Sequence, residues 1–383
     1  MDQTNLSAAF DLIYLVSCSV NGQQPDPERC SNMDYEAVFQ IARDHSLTAA
    51  AVTALEQVAK LPGNLYEEKY KEIRRQALFA AERKKVFDMM EEKGIWYAPL
   101  KGMVLNEYYP RQIMRQMADY DILFDKTKAE ELKPAMEELG FVCVKNKKGH
   151  HDVYCKSPFI VFEMHRALLP RDYIPYADEY FGALDSRLVR DECRPFSRHL
   201  TDEDFYLHLI CHMYKHYHRS GIGLRSLLDI YVFNQKKGSE PDRQRIGDIL
   251  RRFQLDAFEA YMRTLSEKVF TCQPLNQEEL QELAFFIESK CYGNTDNAVG
   301  DKLNHDDSGK SKRRYLLRRI FPDDTYLKNA YPAVHRHKVL YPFLVVYRPF
   351  KGIFTERKKL AAEYKAVKAF QKNDVNTKGK FRH

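Results

Sequence analysis

The sequence predicts an α+β chain, a small mixed β-sheet core flanked by N-terminal and C-terminal helical regions. Three observations predict it. Apolar residues recur at helical spacing through residues 5–93. Between Trp96 and His165 the pattern changes to short runs with apolar residues at every second position. After Thr201 helical spacing returns. The expected organisation is a helical region over 1–94, an α/β core over 95–200 and a second helical region over 201–292. A mobile polar loop over 293–312 and a C-terminal helical segment with a basic tail over 313–383 complete it.

Residues 5–18 have the spacing of a short amphipathic helix, and Asn21 to Asn32, with two prolines, reads as a polar loop. Val38, Ile41 and Ala42 give residues 35–59 helical spacing with a break at Asp44-His45, where Ser46 is placed to N-cap a second helix. Ile73, Leu78, Ala81, Val86 and Met89-Met90 lie along a long helix over 65–93, whose other face is charged as a surface helix's is. Gly94 ends it.

The core stretch begins with the apolar run Trp96 to Leu100 and a turn at Lys101-Gly102. Glycine permits a tight turn and a close backbone approach to a ligand, and a helix starting there would aim N–H groups at an anion. Met103 to Tyr109 reads as that helix, stopped by Pro110. In Asp119-Tyr120-Asp121-Ile122-Leu123-Phe124 the alternation of a strand puts Asp119 and Asp121 on one face and Tyr120, Ile122 and Phe124 on the other. Two carboxylates so placed repel unless a positive charge lies between them, and a hard divalent cation with oxygen ligands supplies it.

A helix over 126–139, closed by Gly140, leads to strands at 141–144, 153–155 and 159–165. In the last, Ile160, Phe162 and Met164 share one face; Val161, Glu163 and His165 share the other. A glutamate inside an apolar strand is costly unless paired or ligating, so Glu163 is the expected third carboxylate.

Residues 167–198, with prolines and mixed charge, read as loops with one or two short helices. Thr201-Asp202-Glu203-Asp204 is a helix start, a Thr cap with acids in the first turn. His208, His212 and His216 share a face of that helix beside Cys211. No Glu follows a His as the metalloprotease motif requires, so hydrogen bonding is the expected role, with His212 the residue singled out to reach a ligand phosphate. Gly221 and Gly223 form a turn. In the next helix Arg225 and Asp229 stand four apart, a surface ion pair worth about 0.3 kcal/mol. The basic run at 310–319 reads as a solvated helix start. The aromatic stretch 339–354, broken by Pro342 and Pro349, reads as core.

Composition bounds the rest. At 383 residues the chain can build a sizeable core. A net charge of +6 suits a protein that handles phosphates and does not indicate nucleic acid. The eight cysteines form no C-x-x-C pair, which argues against a zinc knuckle. They read as free thiols of a cytoplasmic protein. The first twenty residues lack a basic n-region, so no signal peptide is expected. No run is long enough for a membrane span.

Leu100-Lys101-Gly102, Tyr109-Pro110, Arg115, Asp119-x-Asp121 with its apolar tail and Glu163-x-His165 together resemble the nucleotidyltransferase (DNA polymerase beta-like) superfamily. More narrowly they resemble the bacterial family labelled uncharacterised nucleotidyltransferase, over roughly residues 35–350. The resemblance implies that Asp119, Asp121 and Glu163 ligate Mg²⁺, with Mn²⁺ as a substitute. It implies that Gly102 approaches a nucleoside triphosphate and that Lys101 and Arg115 neutralise its charge. For Arg225 and Asp229 it implies, instead of a surface ion pair, a pair that fixes the helix beside the site. Met103 departs from the family pattern, which has Ser or Gly after the glycine; Lys101 would compensate for the missing hydroxyl. The reaction implied moves a nucleoside monophosphate from a triphosphate to an acceptor that the sequence leaves open among small molecule, sugar, peptide, protein side chain and RNA. Two rivals are a catalytically weak nucleotide-binding or regulatory protein on the same fold, and a helical interaction protein whose acids are merely exposed.

Overall fold

A computed structural model describes residues 3–145, 149–169, 173–238 and 240–291, and beyond these 321–322, 327, 331–345, 347 and 380–381. The chain packs as two units, one of residues 1–214 and 223–291, the other of residues 215–222 and 292–383.

The first unit opens with helices α1 (Gln3–Asn21), α2 (Pro27–Ser31), α3 (Tyr35–His45), α4 (Thr48–Leu55) and α5 (Gly63–Glu92). Then come β1 (Tyr97–Pro99), α6 (Gly102–Leu105), β2 (Tyr120–Phe124), α7 (Ala129–Glu138), β3 (Val142–Lys145), β4 (His151–Lys156) and β5 (Ile160–His165). Beyond them lie α8 (Ala177–Gly182), β6 (Val189–Arg190), β7 (Arg198–His199), α9 (Asp202–Arg219), of which residues 202–214 belong to this unit, and α10 (Leu224–Lys237). Helices α11 (Arg243–Arg252), α12 (Asp256–Phe270) and α13 (Gln277–Ser289) complete the series.

The sheet order is β1-β2-β5-β4-β3. β2 and β5 are parallel and the other pairs antiparallel, so the expected mixed sheet forms. A parallel pair needs a long crossover, and α7 with the β3–β4 hairpin supplies it.

Alternation along the strands sorts the two faces. Tyr120, Ile122 and Phe124 of β2, Ile160, Phe162 and Met164 of β5 and Tyr154 of β4 are buried against Phe79, Val86, Met89 and Met90 of α5 and Leu132, Ala135 and Met136 of α7. Edge-to-face contacts tie the layer together: Phe79 to Tyr120 at 4.7 Å between ring centroids, Tyr120 to Phe162 and Phe141 to Phe162 at 5.4 Å. Removing one such ring from a packed core costs about 3–5 kcal/mol. The other face carries Asp121, Glu163 and His165.

The helices before and after the sheet pack on each other. Every residue of α4 is buried, because its Thr-Ala-Ala-Ala-Val-Thr-Ala-Leu sequence is small enough for neighbours to approach all round. Asn21 donates to the Phe270 carbonyl at 2.9 Å and accepts from the Tyr231 hydroxyl at 2.6 Å. His45, fully buried, accepts the Leu224 N–H at Nδ1 (3.2 Å), which leaves Nε2–H to donate to the Ile287 carbonyl at 3.2 Å. Burial pushes its imidazole down to about 4, so it stays neutral.

Four local expectations are corrected. The polar loop at 21–32 contains α2, because Asp26 caps the Glu28 N–H with Pro27 at the first position. Ser46 ends α3 in a left-handed conformation (φ 55°) rather than capping α4, whose N-cap Leu47 makes no side-chain bond. Within 167–198 a strand also forms, β6, which pairs with β7. Of the 339–354 stretch, Leu344 is buried while Val339, Phe343 and Tyr347 are exposed. The polar loop at 293–312, the basic run at 310–319 and most of the C-terminal tail lie outside the described residues. In the second unit Pro332–Arg336 is a short helix, and the Tyr341 hydroxyl donates to the Pro322 carbonyl at 3.3 Å. Among the described residues no helix is long and apolar enough to cross a membrane.

Candidate active site

Register builds the site. Parallel pairing sets Asp121 beside Glu163 and Leu123 beside His165, and the antiparallel β4 sets His151 opposite His165. Side chains of adjacent strands in register point to the same face. Asp121, Glu163, His165 and His151 therefore share the face not covered by α5 and α7. Asp119 stands just before β2, two residues from Asp121.

The turn after β1 delivers the nearest cation. The Leu100 N–H donates to the Asp121 carbonyl at 2.9 Å, and Lys101 follows at φ 44°, ψ −114°. A lysine in that region is strained, by about 1–3 kcal/mol, and holds there only where its surroundings require it. Its ammonium donates to Asp121 Oδ1 at 2.7 Å, and His165 Nε2 donates to the same oxygen at 2.7 Å.

Burial opposes ionisation of Asp121, but Lys101 and His165 reverse that and hold its carboxyl well below the usual range. Asp119 is the opposite case: burial, then the negative charges of Asp121 and Glu163, push its carboxyl up to about 6. Burial also raises Glu163, but His165, with Nε2 3.6 Å from its carboxylate, and His151, with Nε2 at 3.7 Å, help bring it below its ordinary value. At those distances the contacts are electrostatic rather than hydrogen bonds. The acids thus hold more negative charge than their neighbours neutralise, and it is Asp119 that yields.

Above this tier stands a second, of imidazoles. His150, His151 and His165 have ring centroids 4.6, 5.1 and 5.5 Å apart. His151 Nδ1 is 3.3 Å from His150 Nε2, and the Lys145 ammonium is 2.8 Å from His151 Nε2. Burial lowers His151 to about 4. One ligand atom each from Asp121, Glu163 and His165 lie within 4.8 Å of one another, and so do one each from His150, His151 and His165. Both sets could hold a metal ion.

Sequence reasoning missed His150 and His151. They stand before a strand expected to begin at Val153, whereas β4 begins at His151. A His-His pair in phase with the alternation of Val153 and Cys155 was the available signal.

Three expected site residues sit differently from their expected roles. Arg115 is buried and committed to Asp229: Nε donates to Oδ1 and Nη2 to Oδ2, both at 2.8 Å, and the Tyr109 hydroxyl donates to Oδ1 at 2.8 Å. The Arg225–Asp229 pair is thereby corrected, because the Arg225 guanidinium donates instead to the Gln116 carbonyl at 2.7 Å. Gly102 is buried, and a Cβ there would collide with Arg115 Nη1 and meet Met117 Sδ at 3.0 Å. Its lack of a side chain is explained by Arg115. His212 lies on α9 with its ring 6.2 Å from that of His208, which in turn meets Phe181 at 6.3 Å. The charges acting most strongly on the three carboxylates are those of Lys101, His165, His151, Arg225 and the acids themselves. Cys211 is fully buried and inert.

The profile of a family described as uncharacterised nucleotidyltransferase matches residues 31–271, more than half of the chain and all of the site. The chain belongs to that family. Membership of a nucleotidyltransferase family implies a nucleotide substrate and transferase activity. No curated protein matches the sequence. Among solved structures, the chain is similar to one described as the solution structure of antibiotic-resistance factor ANT(2'')-Ia with substrate-regulated conformation dynamics. The identity is 14%, over 49% of this chain and 94% of that one, with a TM-score of 0.33. That likeness is too slight to carry structure or function from one to the other.

Proposed function

We propose that this nucleotidyltransferase is Mg²⁺-dependent, belongs to the DNA polymerase beta-like superfamily and moves a nucleoside monophosphate from a nucleoside triphosphate to the hydroxyl or phosphate of an acceptor. The observation that carries the reading is the parallel β2–β5 register. It sets Asp121 beside Glu163, and Asp119, two residues before Asp121, has its carboxyl raised to about 6 by burial and then by their charges. Carboxylates crowded in this way fit a hard divalent cation with oxygen ligands. Asp119, Asp121 and Glu163 would hold Mg²⁺ or Mn²⁺, and the bound cation would neutralise charge developing on the phosphates. In the step itself the acceptor oxygen bonds to the α-phosphorus, the bond to the bridging oxygen breaks and pyrophosphate leaves, while any proton on the acceptor oxygen passes to water. Lys101, 2.7 Å from Asp121, is placed to hold a phosphate oxygen. Glu163, the most open of the two strand carboxylates, would orient the acceptor. Arg115 acts through Asp229 and Gly102, positioning the Lys101 turn.

The test is a thermal-shift scan with the four ribonucleoside triphosphates, with and without Mg²⁺, followed by an assay for released pyrophosphate. Ligand linkage raises the melting temperature of a protein that binds. The reading predicts a Mg²⁺-dependent shift and release, both lost in Asp121→Asn. Absence of any shift contradicts it. One observation favours the rival in which nucleotide binds without turnover: Lys101 competes with a cation for Asp121 Oδ1. A shift without pyrophosphate release selects that rival.

A further inference from the structure

Beyond the carboxylates, the same face carries nitrogen ligands that the transfer reaction does not use. We infer that His150, His151 and His165 form a second metal site, for a borderline divalent ion of the Zn²⁺ type, one step along the strands from the carboxylate site. The inference stands on the imidazoles alone and does not depend on nucleotidyl transfer.

Four observations carry it. First, His165 and His151 are cross-strand partners on one face, and His150 precedes β4 with its carbonyl accepting the Arg166 N–H at 2.8 Å, which pins the turn to the end of β5. Second, the approach of His151 Nδ1 to His150 Nε2 is 3.3 Å. A tetrahedral Zn²⁺ holds its nitrogen ligands at about 2.0–2.1 Å, and hence about 3.3 Å from one another. Third, His165 is 1% exposed and its Nδ1 has no partner. A buried ring nitrogen without a hydrogen bond is costly, and an ion at Nδ1 would satisfy it while Nε2–H goes on donating to Asp121. Fourth, ligand chemistry separates the tiers. Carboxylates suit Mg²⁺ and Mn²⁺, whereas imidazoles suit Zn²⁺ and its neighbours. Three histidines with an open fourth position is the ligand count of zinc sites that keep a water.

One group opposes the ion. The Lys145 ammonium is 2.8 Å from His151 Nε2, so lysine and metal compete for that ring. The competition gives the site a signature that a hydrogen-bonded histidine cluster lacks: removing Lys145 strengthens metal binding while removing either histidine weakens it.

The experiment uses the full chain, freed of metal by chelation and held in excess Mg²⁺ so that the carboxylates are occupied. Zn²⁺ is titrated by calorimetry, and Co²⁺ serves as the spectroscopic probe. The wild type is expected to take up one ion and to show the visible bands of Co²⁺ with nitrogen ligands. His150→Ala and His151→Ala are each expected to weaken binding by about 10–100-fold or more, Lys145→Ala to tighten it, and Glu163→Gln to leave the bands in place. Histidine variants that bind as the wild type does overturn the inference. So does binding lost in Glu163→Gln and kept in His150→Ala, which puts the ion among the carboxylates. His150 lies in a turn, so His150→Ala gives the answer even if His151→Ala fails to fold.

Discussion

Two buried aspartates, Asp121 and Asp229, each face a basic side chain at 2.7–2.8 Å, yet they are built for different ends. Asp229 is closed. Both its oxygens are taken by the fork of Arg115, and the Tyr109 hydroxyl adds a third bond. Nothing in that arrangement needs to change, and it fastens α10 to the segment behind the Lys101-Gly102 turn. Asp121 is open. Both its side-chain partners, Lys101 and His165, meet the single oxygen Oδ1. One partner is a lysine, whose compact charge on a flexible stem moves more readily than a guanidinium fork. Two further acids crowd it. A buried charge whose two oxygens are both paired holds a fold together, whereas under the proposed function one whose partners share a single oxygen would take a cation.

The largest effect should come from opening the closed aspartate. Arg115→Ala leaves Asp229 buried and uncompensated, and breaking such a pair costs about 3–5 kcal/mol; urea denaturation measures it. Asp121→Asn should abolish pyrophosphate release while lowering the denaturation midpoint much less than Arg115→Ala. If the two variants lose stability equally, the distinction between open and closed fails.

The third prediction concerns pH. The Asp119 carboxyl in the folded chain is raised to about 6, above the unfolded value near 3.9. Between those values the folded state binds the proton more tightly, so Asp119 destabilises the metal-free protein at neutral pH. That penalty is relieved as pH falls through 6. Mg²⁺ needs the ionised form, so its affinity should fall below pH 6, approaching tenfold per unit. In Asp119→Asn the relief of stability on acidification should disappear. The smallest effect is expected from Gly102→Ala, whose methyl meets Arg115 Nη1 and should cost about 1–3 kcal/mol as an overpacking change, read from the same denaturation curves.

Much of the site was legible because period-two alternation is local. Asp119-Tyr120-Asp121-Ile122-Leu123-Phe124 and Ile160 to His165 each declare which residues face the core, and the structure buries Tyr120, Ile122, Phe124, Ile160, Phe162 and Met164 together. A glutamate in the second run could be read as a ligand without knowing that β5 would lie parallel to β2. What escaped was long-range or masked by charge. Arg115 and Asp229 are separated by most of the core, and the local partner Arg225 is the more obvious choice on a helix. Only the folded chain turns Arg225 to the Gln116 carbonyl instead. His150 and His151 stand before the strand expected to begin at Val153, so their place beside His165 was not apparent. Gly102 was legible as a turn glycine, while the Arg115 guanidinium that a Cβ there would meet comes from a segment no local pattern places beside it.

The central claim, that Asp119, Asp121 and Glu163 converge on one divalent cation, is tested most directly by titrating Mn²⁺ into the full chain by electron paramagnetic resonance, with and without a non-hydrolysable triphosphate. The account predicts bound Mn²⁺ in the wild type, displaced by Mg²⁺, and binding severely weakened in Asp121→Asn and in Glu163→Gln while Arg251→Gln, an exposed charge on α11, binds normally. Mn²⁺ bound equally well by wild type and Asp121→Asn would contradict it.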